Sequence, residues 1–307
     1  MELPAPTLLI LAAGMGSRYG GLKQFEAMGP GGESLLDYAV FDARRAGFGR
    51  VVFVVSADLD PRIQAGIRQR YGIGMDVELV PQHLQDVPGN FRVPLERIKP
   101  WGTLHAVLSA RHAVHTPFAV INADDFYGPA AYRQVADFFS RPDTNHKGCN
   151  HYCMVGYAVA RTLSANGGVN RGICVSRDGF LAGVEEHVGI VAGAGGRCSG
   201  YKLDGGRVDI PDNALASMNF WGFTPAVFAQ MQTHFANFLA QQGSIPGTEC
   251  YIPSLVDELV RTGEADCRIL KTDDPWFGVT YAQDREGSKE QLVSWVDAGI
   301  YPRNLWP

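Results

Sequence analysis

The 307-residue sequence predicts an α/β fold in which a mostly parallel sheet carries helices on both faces. Two observations predict it. Short apolar runs alternate with capped helical segments through residue 140, which is the pattern of repeated strand–helix units. The first runs, residues 7–11 and 50–56, are mostly apolar along their whole length, which is typical of strands buried on both faces of a parallel sheet.

Helix boundaries in the first half are marked by residues that favour them. Ser34 is the predicted N-cap of the first helix, Asp37 lies in its first turn, and Gly47 is a natural stop. Thr103 is the predicted cap of a later helix. The predicted strands cover residues 7–11, 50–56, 76–80 and 117–122, and the predicted helices cover residues 34–46, 61–71, 103–115 and 129–140.

The second half of the sequence is more mixed. Turn sequences at residues 166–168 and 177–179 separate apolar runs, as in hairpins. The glycine-rich segment 190–206 is predicted to be a surface loop. The predicted strands cover residues 152–160, 172–176, 180–185 and 217–223, and the predicted helices cover residues 225–241, 252–262 and 280–298.

Charge and composition argue against several classes of protein. The 27 Lys and Arg residues and 32 Asp and Glu residues give a net charge of −5, and no basic run marks a nucleic-acid binder. We find no signal peptide and no apolar run long enough to span a membrane, and we expect a soluble, cytoplasmic protein. The 6 cysteines are scattered, so we expect reduced thiols.

One cluster of metal-ligand residue types stands at residues 146–153. It contains His146, Cys149, His151 and Cys153. Cys153 already belongs to an apolar run that predicts a strand, and the cysteine spacing has no second half elsewhere in the sequence. We therefore interpret the cluster as a polar loop entering a strand rather than as a zinc site.

A glycine-rich segment follows the first predicted strand. Gly14 and Gly16 allow close backbone approach, and successive N–H groups in such a loop bind anions. Arg18 and Lys23 add the positive charge that a triphosphate needs. The segment is neither a Rossmann fingerprint nor a Walker A loop. It lies at the carboxyl end of a strand, where parallel sheets bind ligands.

This segment also carries a family resemblance. Leu11-Ala12-Ala13-Gly14-Met15-Gly16-Ser17-Arg18, followed by Lys23, resembles the signature of the sugar-phosphate nucleotidyltransferases, the NDP-sugar pyrophosphorylases. The resemblance implies a Rossmann-like, GT-A-like fold whose loop wraps a nucleoside triphosphate while Arg18 and Lys23 stabilise transition-state charge. Gln82 and the segment Gly102-Thr103-Leu104-His105-Ala106 are similar to the parts of the family that read the base.

Paired carboxylates follow the strand that ends at Asn122. Asp124 and Asp125 suit a hard divalent cation, which would offset the charge of bound phosphates. The segment resembles the family's Gly-Asp-x-x-Tyr-Gly turn, which implies that Asp124 is the catalytic Mg²⁺ ligand and Asp125 a second choice. Asp125 could equally cap the next helix. Asp284 is a candidate second ligand by the same resemblance, or an ordinary first-turn residue.

The acceptor side is expected in the second half. Glu185, Asn219 and Arg171 lie in segments that resemble the family's acceptor pocket, and Lys202 is either a phosphate ligand or a solvated loop lysine. We expect one nucleotidyltransferase domain over residues 1–307. Its nucleotide-binding half spans about 1–145 and its acceptor-binding half about 146–290, and the aromatic residues of the tail, 291–307, are expected to pack on this domain or on a second subunit.

The resemblance implies an Mg²⁺-dependent enzyme that transfers a nucleoside monophosphate from a nucleoside triphosphate to a phosphorylated acceptor, above all a sugar 1-phosphate. The products would be an NDP-sugar and pyrophosphate. We expect these two small molecules as partners, with no nucleic acid and no membrane, and a homo-oligomer is compatible with the sequence. Two alternatives stay open: a GT-A type glycosyltransferase using a nucleotide sugar, and a non-catalytic nucleotide-sensing relative. The sequence leaves the base and the acceptor open.

Overall fold

A computed structural model describes residues 4–14, 26–89, 91–141, 149–193, 197–211, 213–278 and 284–306. Within these ranges, eleven strands form one mixed sheet and two short strands form another. The strands are β1 (Thr7–Ala12), β2 (Arg50–Ser56), β3 (Asp76–Gln82), β4 (Phe118–Asn122), β5 (Asp125–Phe126), β6 (Asn150–Ala158), β7 (Val169–Arg177), β8 (Phe180–Ala192), β9 (Cys198–Lys202), β10 (Arg207–Ile210), β11 (Leu215–Phe223), β12 (Ala265–Thr272) and β13 (Phe277–Gly278). The helices are α1 (Leu35–Arg45), α2 (Pro61–Tyr71), α3 (Thr103–Ser109), α4 (Pro129–Ser140), α5 (Val227–Gln242), α6 (Ile252–Thr262) and α7 (Asp284–Asp297).

From β3 to β12, the large sheet contains six strands that run in the same direction and one, β11, that runs in the opposite direction. β3, β2, β1 and β4 pair in parallel in that order. The antiparallel strand β11 then links β4 to β6, which pairs in parallel with β12. These six strands therefore end at one edge of the sheet, which we call the carboxyl edge, and begin at the opposite amino edge. Parallel sheets bind ligands beyond the carboxyl edge.

Helices cover both faces of the sheet, as predicted. α1, α2 and α4 pack on one face, where Leu8, Ile10 and other alternate strand residues are buried. α3, α5 and α6 pack on the other face, which buries Leu9 and its alternates. Because successive strand side chains point to opposite faces, apolar strands of this kind need a helical layer on each side. The predicted α/β fold with a mostly parallel mixed sheet is confirmed. Among the described helices, none combines the length and apolar character needed to span a membrane.

Most predicted helices agree closely with the structure. α2, α4 and α6 have the predicted bounds, and Ser34 is the N-cap of α1, as predicted. The helix predicted at residues 103–115 is too long, however. α3 ends at Ser109, because Ala110 N bonds to Val107 O (3.0 Å) and Ala113 N bonds to Ala110 O (2.9 Å), which closes tight turns instead of continuing the helix. Its N-cap is Gly102 rather than Thr103.

The prediction of a surface loop at residues 190–206 is wrong. β8 continues to Ala192, and β9 and β10 form an antiparallel pair beyond it. Ile190 and Cys198 are fully or almost fully buried, because these strands close over one end of the core. The glycine content of the segment favoured a loop, but cross-strand pairing outweighed that local preference. β12 is also not predicted from the sequence. Its exposed positions carry charged residues, so it lacks the continuous apolar run of the other strands, although Cys267 and Ile269 are buried.

The C-terminal tail packs against α1, which is one of the two predicted alternatives. Tyr301 and Leu305 are 1% and 5% exposed and join a third apolar cluster with Tyr38 of α1. The Tyr301 hydroxyl donates to Asp42 Oδ2 (2.7 Å). Arg45 Nη1 donates to the carbonyl of Ile300 (2.9 Å). The tail therefore contributes to the stability of the fold.

Candidate active site

The carboxyl edge brings two of the sequence motifs together. Leu11, near the end of β1, is the register partner of Asn122 at the end of β4. The amide of Ala123 donates to the Leu11 carbonyl (3.2 Å). The beginning of the glycine-rich segment, Leu11 to Gly14, therefore lies beside the turn that carries Asp124. Met15, Gly16, Ser17, Arg18 and Lys23 lie outside the described residues, and their roles stay predictions.

Asp124 and Asp125 differ in exposure. Asp124 is exposed to solvent, whereas Asp125 is 8% exposed. Asp125 Oδ2 accepts hydrogen bonds from Asn122 Nδ2 (2.9 Å) and from the hydroxyl of Tyr127 (3.0 Å). Burial, and then the neighbouring charge of Asp124, raise the pKa of Asp125. A carboxylate exposed at a strand end, with a second carboxylate next to it in the chain, is a suitable oxygen donor set for a divalent cation.

Asp125 does not cap α4, which overturns the alternative role considered for it. The N-cap position of α4 is Gly128, which has no side chain to accept a bond. The amide of Ala130 instead donates to Asp274 Oδ2 (2.5 Å), a residue that follows β12. Asp274 could not be identified as a cap from the sequence, because it is 144 residues away from the helix that it caps.

Asn219 is connected directly to the acidic turn. Its Nδ2 donates to Asn122 Oδ1 (2.7 Å), and its Oδ1 accepts from Trp221 Nε1 (3.0 Å). Asn219 has a left-handed backbone (φ 62°) at the point where the register of β11 shifts between Ser217 and Trp221. The bulge turns this side chain towards the carboxyl edge. Non-glycine residues with such backbone angles are concentrated at functional sites.

The segment before α7 also lies against the acidic turn. Gly278 of β13 pairs with Asp125 of β5, and a Cβ atom on Gly278 would lie 2.5 Å from Asp125 Oδ1. The guanidinium of Arg171 lies 4.8 Å from the centre of the Trp276 ring, and its charge acts on Asp125. Arg171 is therefore close to the predicted metal ligands. Asp284 begins α7, but its side chain lies outside the described part of the chain.

Gln82 lies at the end of β3, where its side chain is 9% exposed. Its Nε2 is 2.8 Å from Nδ1 of the buried His105. Gly102 has a φ of 98°, and a Cβ there would lie 2.5 Å from the carbonyl oxygen of Cys250. The amide of Ile252, two residues after Cys250, donates to Thr103 Oγ1 (3.2 Å). Gly102 and Thr103 thus anchor α3 beside Gln82, and their contact with a nucleotide stays a prediction.

The remaining acceptor-side residues lie on β8 and β9. Lys202 Nζ is 3.5 Å from Glu185 Oε2, and about half of each side chain is exposed. Glu186, the next residue, is opposite Gly172 of β7, so its side chain leaves the other face of β8. Partial desolvation raises the pKa of Glu186. Only the register of β8 shows which glutamate lies on which face, and the sequence could not distinguish them.

The Cys/His cluster lies at the amino edge, away from the acidic turn. Cys153 is fully buried in β6, as its apolar run predicted, and His146 is outside the described residues. Cys149, His151 and Asp266 have candidate ligand atoms within 4.8 Å of one another. His151 Nδ1 and Asp266 Oδ1 share a hydrogen bond. Among the described residues the cluster offers three candidate ligands, where a structural zinc site has four, and we interpret it as a hydrogen-bonded His–Asp pair with a neighbouring thiol.

Comparison with solved structures identifies related folds. The inositol-1-phosphate CTP transferase of T. maritima is 13% identical, with a TM-score of 0.59 over 95% of this chain and 99% of that chain. A UDP-glucose pyrophosphorylase complexed with UDP-glucose is 16% identical, with a TM-score of 0.55 over 94% and 98% of the two chains. The UDP-glucose pyrophosphorylase of Acinetobacter baumanii is 14% identical, with a TM-score of 0.55 over 94% and 93%. These similarities establish the fold.

Sequence comparison gives the family. No curated protein matches the chain at a significant level. The profile of the MobA-like NTP transferase domain matches residues 8–168, which is more than half of the chain and includes the glycine-rich segment, Gln82 and the acidic turn. The chain therefore belongs to the MobA-like NTP transferase domain family and is a nucleotidyltransferase.

Proposed function

We propose that this nucleotidyltransferase moves a nucleoside monophosphate from a nucleoside triphosphate to a sugar 1-phosphate, forming an NDP-sugar and pyrophosphate. One observation carries the proposal. Within a fold shared with nucleotidyltransferases, the beginning of the glycine-rich segment and the Asp124 turn are adjacent at the carboxyl edge. A triphosphate bound over the first would place its phosphates beside the second.

The acidic turn fits Mg²⁺, because its donors are carboxylate oxygens and Asp124 is exposed at the edge. Asp125 is held next to it by Asn122 and Tyr127. The repulsion between the two carboxylates is a local energetic cost that a dication would offset. When bound, Mg²⁺ would neutralise phosphate charge near the reacting phosphorus. Asp284 stays a candidate for a further ligand.

The residues of the chain supply positioning and charge. Asn219 fixes Asn122, and Asn122 fixes Asp125, so the geometry of the acidic turn is set before substrate binds. Arg18 and Lys23 are proposed to stabilise the charge that develops on the departing pyrophosphate. The attacking oxygen of the acceptor phosphate is already anionic, so the reaction needs no general base.

A sugar 1-phosphate is the acceptor class that the neighbouring side chains suit best. Asn219 and Glu185 can hydrogen-bond hydroxyl groups, and Arg171 and Lys202 can pair with a phosphate. Solved structures of the same fold include an inositol-1-phosphate CTP transferase and a UDP-glucose pyrophosphorylase. No disulfide joins the described cysteines, which together with the nucleotide substrate supports a cytoplasmic location.

A pyrophosphate-release assay tests the proposal. The common nucleoside triphosphates are screened against a panel of sugar phosphates and phosphorylated alcohols with Mg²⁺, and at least one pair is expected to release pyrophosphate. With that pair, Lys23→Ala and Asp124→Asn should each lower kcat by on the order of a hundredfold. Asp137→Asn, an exposed carboxylate at the amino edge, is the matched control. Release of sugar from a nucleotide sugar without pyrophosphate, or a normal rate in Asp124→Asn, would refute the proposed reaction.

A further inference from the structure

Gln82 and His105 form a buried pair beside the proposed nucleotide site. Gln82 is 9% exposed and His105 is 1% exposed. Gln82 comes from the end of β3 and His105 from α3, and Gln82 Nε2 is 2.8 Å from His105 Nδ1. A contact of this length between buried polar groups is a hydrogen bond whose direction is set by the surroundings of the imidazole ring.

The other ring nitrogen of His105 determines that direction. His105 Nε2 is 2.9 Å from the carbonyl oxygen of Asp86, and a carbonyl can only accept, so Nε2 carries a hydrogen. Burial lowers the pKa of His105, so the ring is neutral and Nδ1 has no hydrogen. Nδ1 must therefore accept from the amide nitrogen of Gln82. The amide of Gln82 is held in one orientation, because the flipped amide would direct its oxygen at the Nδ1 lone pair.

Neighbouring groups keep the ring of His105 in place. It stacks on Phe235 of α5 with a centroid distance of 5.0 Å and an interplanar angle of 29°. The loop that supplies the Asp86 carbonyl is itself fixed, since Arg111 donates to both carboxylate oxygens of Asp86 (2.9 and 3.1 Å). The orientation of Gln82 is thus determined by a chain of contacts that ends in the core between the sheet, α3 and α5.

An oriented amide distinguishes two classes of base. After donating to His105, Gln82 retains one N–H and its oxygen. Uracil, thymine and guanine place a ring N–H beside a carbonyl, whereas cytosine and adenine place a bare ring nitrogen beside an amino group. The two patterns are reversed at the same positions of the base edge. One amide orientation therefore satisfies one class and leaves the other with two unmatched polar contacts.

We propose that His105 is a positioning residue that fixes the Gln82 amide. The nucleotide site thereby discriminates bases with a ring N–H beside a carbonyl (uracil, thymine and guanine) from bases with a bare ring nitrogen beside an amino group (cytosine and adenine). The inference rests on the proposed function, since it places the base at Gln82. It concerns a residue that does not itself touch the nucleotide. His105 acts through Gln82, and its removal should affect the choice of nucleotide more than the chemical step.

The test compares kinetic constants for pairs of nucleotides that have the same ring size but belong to different classes of base. Pyrophosphate release by the full chain is measured with UTP and CTP, and with GTP and ATP, using the acceptor found in the screen. The wild type should prefer one class by about tenfold or more in kcat/KM. His105→Phe keeps the stacking ring but removes both nitrogens, so that ratio should fall to near one, mainly through KM. Phe238→Leu, which changes a neighbouring aromatic residue of α5 and leaves both His105 and the stacked Phe235 in place, should retain the preference.

A second measurement covers the case in which His105→Phe does not fold. ¹⁵N NMR of the wild-type imidazole should show a neutral ring with its hydrogen on Nε2. A hydrogen on Nδ1, an unselective wild type, or unchanged selectivity in a folded His105→Phe protein would each overturn the inference. If no acceptor yields pyrophosphate, the proposed reaction fails separately, and calorimetric affinities for UTP and CTP still decide the role of His105.

Discussion

Asn219 combines backbone strain with a bridging side chain at the carboxyl edge. Its left-handed conformation (φ 62°) belongs to the bulge in β11, and its carboxamide joins Trp221 to Asn122. Asparagine tolerates this conformation better than most residues because its short polar side chain bonds locally. The strain and the hydrogen bonds can be separated by substitution, since glycine removes the side chain without adding strain.

Asn219→Gly and Asn219→Ala should therefore differ in stability but not in activity. Both lose the bond to Asn122 that holds the acidic turn, and we expect kcat/KM to fall roughly tenfold in each. Alanine additionally strains the left-handed backbone, so its free energy of unfolding should be about 1 kcal/mol below that of the glycine variant. Steady-state pyrophosphate release and urea unfolding measure the two effects. Equal stabilities would mean that the bulge relaxes without cost.

α1 illustrates how one helix start connects several parts of the chain. Ser34 N donates to Asp37 Oδ2 (2.7 Å), and Asp37 N donates to Ser34 Oγ (3.3 Å), which forms a capping box. Asp37 also forms an ion pair with Arg70 of α2 and accepts from Trp306 Nε1 (3.3 Å) in the tail. The buried carboxylate therefore caps α1 and ties it to two other elements.

Ser34→Ala should lower the free energy of unfolding by about 1 kcal/mol or somewhat more. The lost hydroxyl removes two buried hydrogen bonds, to Asp37 Oδ2 (2.8 Å) and from the amide of Asp37 (3.3 Å), although that amide still bonds to the Ser34 carbonyl (3.0 Å). Ser140→Ala provides the control, because Ser140 is an exposed residue at the end of α4 whose hydroxyl donates to the Asp137 carbonyl one turn earlier rather than accepting from a helix N-terminus. Urea unfolding of the three proteins measures the difference. A Ser34→Ala protein as stable as the control variant would show that the capping box is not stabilising.

At the scale of the whole molecule, the C-terminal tail covers the apolar cluster on α1 and buries the carboxyl group of Asp42. Asp42 is 1% exposed and accepts from the Tyr301 hydroxyl, and Arg45 Nη2 lies 2.7 Å from its Oδ1. Burial outweighs these contacts and raises the pKa of Asp42 to about 7. In the unfolded chain an aspartate has a pKa of about 3.9. The folded protein therefore binds this proton more tightly than the unfolded chain does.

Stability should accordingly depend on pH through Asp42. The contribution of its bound proton is complete below a pH of about 4 and is lost as the pH rises through about 7. Between about pH 5 and about pH 8 the free energy of unfolding of the wild type should fall by on the order of 2 kcal/mol relative to Asp42→Asn, which cannot ionise. Urea unfolding at a series of pH values measures this. Parallel pH profiles for the two proteins would contradict it.

Local patterns in the sequence were sufficient for much of the fold. Apolar runs and caps predicted α2, α4 and α6 within their observed bounds, and the Ser34 cap of α1 is confirmed. Patterns failed where partners distant in the chain decide the structure. The glycine-rich segment 190–206 pairs as strands, and β12 is a strand although its outward-facing positions are charged.

For the site, the sequence alone determined the residue types and their placement at strand ends: the glycine-rich segment, Gln82 and the Asp124 turn. These follow from short-range chemistry, because loops and carboxylates after buried strands must lie at the carboxyl edge. Three contacts came only from the folded arrangement: Asn219 bridges to Asn122, Asp274 rather than Asp125 caps α4, and His105 contacts Gln82. Each of these contacts joins residues from separate elements, and the direction of a side chain depends on register, bulges and packing that no local pattern encodes.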